Sequence, residues 1–176
     1  MFRHAMAEKI EIREGYHIEH PNREKAGSKL VKLVVILLLL ASVALLVIST
    51  MGGWEKLAGA KSGQIAYIVI YLLMAFFIAR WSRGVLPLAA ALAMILAIFA
   101  AIAGPEWFLR GAPGYTDTDL PPELLGTVTL LIVPVQVVLI GFSMLGFTQA
   151  WNVEVEVPDG QHYTPGQHDD QQPATA

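Results

Sequence analysis

Gln136 and Pro134 are the residues whose types and spacing come closest to a chemical device in this chain. Both lie in a stretch that carries no charged side chain between Glu123 and Glu154. Proline has no N–H to offer the carbonyl four residues earlier, so Leu130 keeps a free acceptor. Away from water such a group must find a partner. Gln136 brings donors and an acceptor to nearly the same level, and counting from the ends of the other apolar stretches puts Ser42 and Tyr71 at a similar depth. Two uses follow. One is a polar ligand site at the proline kink formed by Ser42, Tyr71, Pro134 and Gln136. The other is hydrogen bonding between helices, typically about 0.6–2 kcal/mol per bond. The second requires only neighbouring helices and is the favoured expectation, with Tyr71 as the partner of Gln136.

Other constellations are weaker. His17 and His20 have chelating spacing, but a pair in a polar segment without a well-spaced third ligand reads as solvated, and no metal site is assigned. Glu106, Asp117, Asp119 and Glu123 make an acidic loop, which reads as a solvated face because acid–base work requires a cleft and a perturbed carboxyl. No phosphate-binding glycine loop, nucleophile elbow or zinc signature occurs. The chain has no cysteine, which rules out disulfides and thiolate-held metals. No catalytic residue and no cofactor are assigned, and no basic tract suggests nucleic acid.

The elements that must position these residues are defined by charge. No Asp, Glu, Lys or Arg occurs from 33 to 54, 62 to 79, 84 to 105 or 124 to 153. As helices, stretches of about 20 residues cross roughly 30 Å of hydrocarbon. Overall 55% of the residues are hydrophobic and 15% charged, where soluble domains carry about a quarter. The predicted fold is an all-α membrane protein, a bundle of four transmembrane helices with short cytoplasmic β-like segments at both ends. Spans are expected near 33–51, 64–81, 85–103 and 124–150, within a transmembrane domain at 30–151. Residues 1–29 form a polar N-terminal segment and 152–176 a strand followed by a disordered tail. The polar start predicts no cleaved signal peptide, with Met6 an alternative start to Met1.

Span one is apolar on every side and predicts no preferred buried face, hence most contact with lipid. In span three Ala89, Ala93, Ala97 and Ala101 recur every four residues. Such a small-residue stripe lets another backbone approach, and Gly141, Ser143 and Gly146 in span four offer a matching surface. Spans three and four are therefore expected to be the packed core. Pro105 and Pro113 stiffen the loop after span three, where Trp107, Phe108 and Tyr115 suit the interface. Asp119 or Leu120 is the expected cap of span four, ahead of Pro121, Pro122 and Glu123.

Arg23, Lys25, Lys29, Lys32, Arg80 and Arg83 lie on one side of the predicted spans, against Lys56, Lys61 and Arg110 on the other. The positive-inside rule then puts both termini in the cytoplasm, with the inner or plasma membrane as the location. The alternating segments Ile10–Ile12 and Val153–Val157 would share that side and could pair, and a hairpin returning through Gln161–Tyr163 is a further option.

With no ionisable group inside a span, the usual marks of proton relays and coupled transport are missing. The expected function is a non-enzymatic integral membrane accessory or scaffold subunit. Its partners would be the lipid bilayer and either another membrane protein or a second copy of itself. The runner-up is a small oligomeric transporter or pore working around Gln136.

Overall fold

A computed structural model describes residues 15–110, 112, 114 and 118–164. The expected strand at Ile10–Ile12, Tyr115, Pro113, Asp117 and the tail beyond Thr164 lie outside the described residues.

Four helices are long and apolar enough to cross a membrane: α2 (Ala26–Gly52), α3 (Lys61–Ala79), α4 (Val85–Leu109) and α5 (Pro122–Thr148). A single turn, α1 (Pro21–Glu24), precedes them. The shortest of the four long helices, α3, has 19 residues, about 28 Å at 1.5 Å per residue. Two short 3₁₀ turns, Trp54–Lys56 and Ala58–Ala60, connect α2 to α3.

Helix ends differ from the expected spans where polar residues join a helix. α2 starts seven residues before Leu33 and takes Lys29 and Lys32 into its first turns, positions a lysine tolerates because its apolar stem can pack while its charge stays in water. α4 runs through Pro105 to Leu109 instead of ending at Ala103. The proline removes only the bond to the Ala101 carbonyl, while Trp107, two residues on, is buried and anchors the last turn. Pro121, with φ −53° and ψ 135°, caps α5 in place of Asp119 or Leu120. Pro122 then takes the first helical position, where its missing N–H costs nothing.

Span one does have a buried side. Val31, Val35, Leu39, Ser42, Leu46 and Ser49 are all shielded. Their steps of three and four make a narrow seam of coiled-coil type. α2 lies against both α3 and α5, so it is central, and α3 is the least buried of the four. α4 and α5 form the most extensive pair, whereas α3 and α4 barely touch despite the five-residue link between them.

Polar side chains close one end of the bundle. Arg83 Nε donates to the Phe147 carbonyl at 2.8 Å, Arg23 Nε to the Trp151 carbonyl at 2.9 Å, and Asn22 Nδ2 to the Ala150 carbonyl at 3.1 Å. Phe147 lies in the last turn of α5, whose carbonyls have no intrahelical donor and carry the negative end of the helix dipole, so the Arg83 cation belongs there, while the Ala150 and Trp151 carbonyls lie just past the helix. Trp151 is fully buried. Its ring meets Trp81 edge-on at 5.3 Å, and Lys32 Nζ sits 4.0 Å over the Trp81 ring. Trp81 holds a left-handed φ of 65°, a conformation that packing of this kind must sustain in a non-glycine residue.

Among the described residues, 15–21 and 153–164 belong to a second compact unit. Within it β1 (Tyr16–Glu19) pairs antiparallel with β2 (Val155–Pro158), Ile18 opposite Glu156. The strand opposite β2 is thus Tyr16–Glu19, and residues 161–164 form no returning strand. Gln161 N–H bonds the Pro158 carbonyl at 3.1 Å across a turn whose Gly160 has φ +85°, which glycine adopts freely. Glu19 Oε1 accepts from His162 Nδ1 at 2.9 Å and His17 Nε2 at 3.2 Å, and Oε2 from the Tyr163 N–H at 2.9 Å. The Tyr163 amide first, then the two histidines, hold its carboxyl down at about 2. A carboxylate accepting several such bonds favours its charged form.

Candidate functional site

Three helices bring Ser42, Tyr71 and Gln136 together. Each is fully buried. Tyr71 donates its hydroxyl to Gln136 Oε1 at 2.9 Å, Gln136 Nε2 donates to Ser42 Oγ at 2.8 Å, and Ser42 donates to the Leu38 carbonyl at 2.7 Å. The chain of donors runs from α3 through α5 to α2 and ends on a backbone acceptor. Tyr67 adds an edge-on ring contact to Tyr71 at 5.7 Å. A relay in which each member has a partner fixes the three helices in register, because any slip leaves a buried polar atom unpaired.

Pro134 does not join this cluster. It lies two residues from Gln136, about 200° around the helix, and its ring is exposed on the outer face. The glutamine amide therefore points away from the carbonyl that the proline frees.

The small-residue stripe is only half used. Ala89 and Ala93 are fully buried, Ala97 is half-buried and Ala101 is exposed. A step of four residues advances 400°, so each alanine drifts about 40° and the stripe rotates off the contact. The buried face of α4 continues instead through Ala100 and Gly104. On α5, Gly141 is exposed with open space around it, while Ser143 and Gly146 are buried. A Cβ on Gly146 would lie 3.2 Å from Leu86, Trp151 and Val31. Ser143 Oγ is the one buried side-chain polar atom without a hydrogen-bond partner among the described residues.

Closest approach between α4 and α5 comes elsewhere. Leu130 of α5 sits on Gly104, where a Cβ would come within 2.5 Å of it, and Phe108 of α4 sits on Gly126, where a Cβ would come within 2.4 Å. The two helices exchange one large side chain each into the other's glycine. Sequence reasoning misses this pair because a span ending at Ala103 leaves Gly104 in the loop. The spacing of Ala93, Ala100 and Gly104, which follows the true helical period, was the available signal.

A cleft opens where α3 and α4 fail to pack. Its volume is about 540 Å³, and Gln64, Tyr67, Leu96, Phe99, Ala103 and Thr129 are among its walls. Lys56, Glu106 and Arg110 are its charged lining residues, all at or near helix ends. Across it the Tyr67 hydroxyl reaches the Leu92 carbonyl only at 3.5 Å. The hydroxyls of Ser49 and Thr129, both on its wall, lie 3.5 Å apart, and Thr50 Oγ1 donates to Gln64 Oε1 at 2.5 Å. The described residues contain no cluster of three metal-ligating side chains. His17 instead bonds Glu19 and approaches Asp159 at 3.3 Å, and His20 approaches the Val153 carbonyl at 3.4 Å.

Comparison with known proteins adds no relative: no family model, curated protein or solved structure matches this chain.

Proposed function

We propose that this multi-pass protein is a non-enzymatic accessory or scaffold subunit that holds other membrane proteins through its helices. The observation that carries the reading is the closed relay of Tyr71, Gln136 and Ser42. It is the polar centre of the bundle, it is shielded on all sides, and its donors end on the Leu38 carbonyl. A transport site at that depth would need polar groups facing a cavity. Here they face one another, so the runner-up reading of a pore around Gln136 is the weaker one. The exposed faces of α3 and α4, including Phe76, Phe77, Met94 and Ile98, offer apolar surface to a partner helix or a second copy.

The same reading puts both termini in the cytoplasm, with the β1–β2 segment on that side. Its support is the distribution of cations: Arg23, Lys25, Lys29, Lys32, Arg80 and Arg83 flank one end of the spans, and Lys56, Lys61 and Arg110 the other. Cysteines introduced singly at Ser82 and Ser62 test it, since only Ser62→Cys should react with an impermeant thiol reagent in intact cells.

Solubilisation in mild detergent, followed by size analysis and identification of bound chains, tests the function. A constant larger partner or a defined homo-oligomer is expected. A lone monomer, together with solute flux in vesicles that Gln136→Leu abolishes in a folded variant, would replace this reading with the transporter.

A further inference from the structure

We infer that the cleft between α3 and α4 is a binding site for one anionic-headgroup phospholipid taken from the surrounding bilayer. The inference is independent of any protein partner.

Three features of the cleft select this ligand. Its volume of about 540 Å³ falls in the range of small-molecule sites, about 300–1,000 Å³. It is also long. Leu96 on its wall precedes Arg110 at its mouth by 14 residues, about 21 Å of helix rise. That exceeds half the roughly 30 Å hydrocarbon thickness, so an acyl chain can follow it from interface to midplane. Finally, polarity is graded along it. Lys56, Glu106 and Arg110 lie at or near helix ends, Gln64 and Thr129 lie one and two turns inside α3 and α5, and the apolar Leu96, Phe99 and Ile132 lie about three turns or more along their helices. A phospholipid has the same order of headgroup, glycerol esters and chain.

The sign of the headgroup follows from the rim. Lys56 and Arg110 are two cations against one carboxylate, Glu106. Among the described residues every ion pair involves a histidine, so none of these three is paired with another described side chain. Arg110 instead stacks 5.1 Å from the Trp107 ring centre, which orients its guanidinium without consuming its charge. The first turn of α3, which has no side-chain cap, begins at the same rim.

The cleft persists because its walls belong to different pairs. α3 is held to α2, and α4 to α5. Closing it would pull Tyr71 away from Gln136 or Gly104 away from Leu130. In a bilayer an apolar gap of this size is filled by lipid, and the charged mouth then decides which lipid remains.

The experiment is native mass spectrometry of the full chain in detergent, with phosphatidylglycerol, phosphatidylcholine of matched chains, or inorganic phosphate added. One phosphatidylglycerol per chain should be retained, in preference to phosphatidylcholine, and phosphate alone should not displace it. Replacing both Lys56 and Arg110 by Gln should weaken retention roughly 30-fold, at about 1 kcal/mol per cation near an anionic lipid. Glu106→Gln should strengthen it about fivefold on the same scale. Ala103→Trp, which fills the exposed wall of the cleft, should abolish it. Equal retention of both lipids by the wild-type protein, or retention that a folded Ala103→Trp variant leaves unchanged, would overturn the inference. Displacement by phosphate alone would also overturn it, reducing the site to an anion pocket. The wild-type comparison stands even if a variant fails to fold.

Discussion

The hydroxyl of Tyr71 lies 2.9 Å from Oε1 of Gln136 in the middle of the bundle, both side chains fully buried. This bond joins α3 to α5, two helices that share no direct connection in the chain. The same glutamine reaches Ser42 on α2. One amide therefore sets the relative height of three helices, and the rest of the interior packs around that level.

Removing either partner of the Tyr71–Gln136 bond should cost nearly as much as removing both. Tyr71→Phe and Gln136→Leu are each expected to destabilise by about 1–2 kcal/mol, since each leaves a buried partner unpaired. The double variant should lose less than the sum, with a coupling of about 0.6–1.7 kcal/mol. Unfolding in mixed micelles measures the cycle. Strict additivity would show that the two residues do not share a bond.

Size tolerance along α4 and α5 should follow burial rather than residue spacing. Ala93→Leu and Gly126→Leu are expected to destabilise by about 1–3 kcal/mol, because both positions are buried and the second is already filled by Phe108. Ala101→Leu and Gly141→Leu face outward and should remain within about 0.5 kcal/mol of the parent. Thermal aggregation in detergent ranks the four variants. Equal sensitivity at Ala93 and Ala101 would mean that the alanine stripe, not the rotating face, makes the contact.

Arg83 should act as a cap as well as a topology signal. It reaches the Phe147 carbonyl and Asn152 Oδ1, both at 2.8 Å, and stacks on the Phe147 ring at 4.3 Å. Arg83→Lys keeps the charge but not the planar fork. It is expected to cost about 1 kcal/mol and Arg83→Ala about 2, within the range for hydrogen bonds to charged groups. Amide exchange at the end of α5 should accelerate in the same order. Unchanged exchange in Arg83→Ala would show that the arginine contributes only its charge.

The β1–β2 unit should loosen in acid. Glu19 is depressed from an ordinary 4.5 to about 2 when folded. Stability from this group is therefore complete above about 4.5 and disappears as pH falls toward about 2. The Tyr163 amide signal, followed from pH 6 to 2, should retain its bonded shift to well below 4.5. Glu19→Gln should remove this transition, leaving the helices unaffected. A Glu19 midpoint near 4.5 would mean the three bonds are absent in solution.

Legibility varied with the kind of information a feature needs. The depth of Ser42, Tyr71 and Gln136 could be counted from the ends of apolar runs, because depth along a helix is linear in residue number. Which atom donates to which could not, since that depends on the rotation of three helices. Span one looked faceless because leucine, valine and isoleucine differ little in hydropathy. Ser28, Ser42 and Ser49, spaced in multiples of seven, were the only marks of its seam.

Four helices long and apolar enough for a bilayer were fixed by the sequence itself, because a charged side chain in hydrocarbon is too costly to hide and its absence over about 20 residues is a one-dimensional property. Everything about faces was left to the tertiary structure. It turned Ala101, Gly141 and Pro134 outward, drew Trp151 inward, and separated α3 from α4 although a short link joins them. The physical reason is that lipid is as apolar as leucine, so hydrophobicity gives such helices no direction. Leu130 and Phe108 seated on Gly104 and Gly126, and three polar side chains that must meet, supply that direction instead.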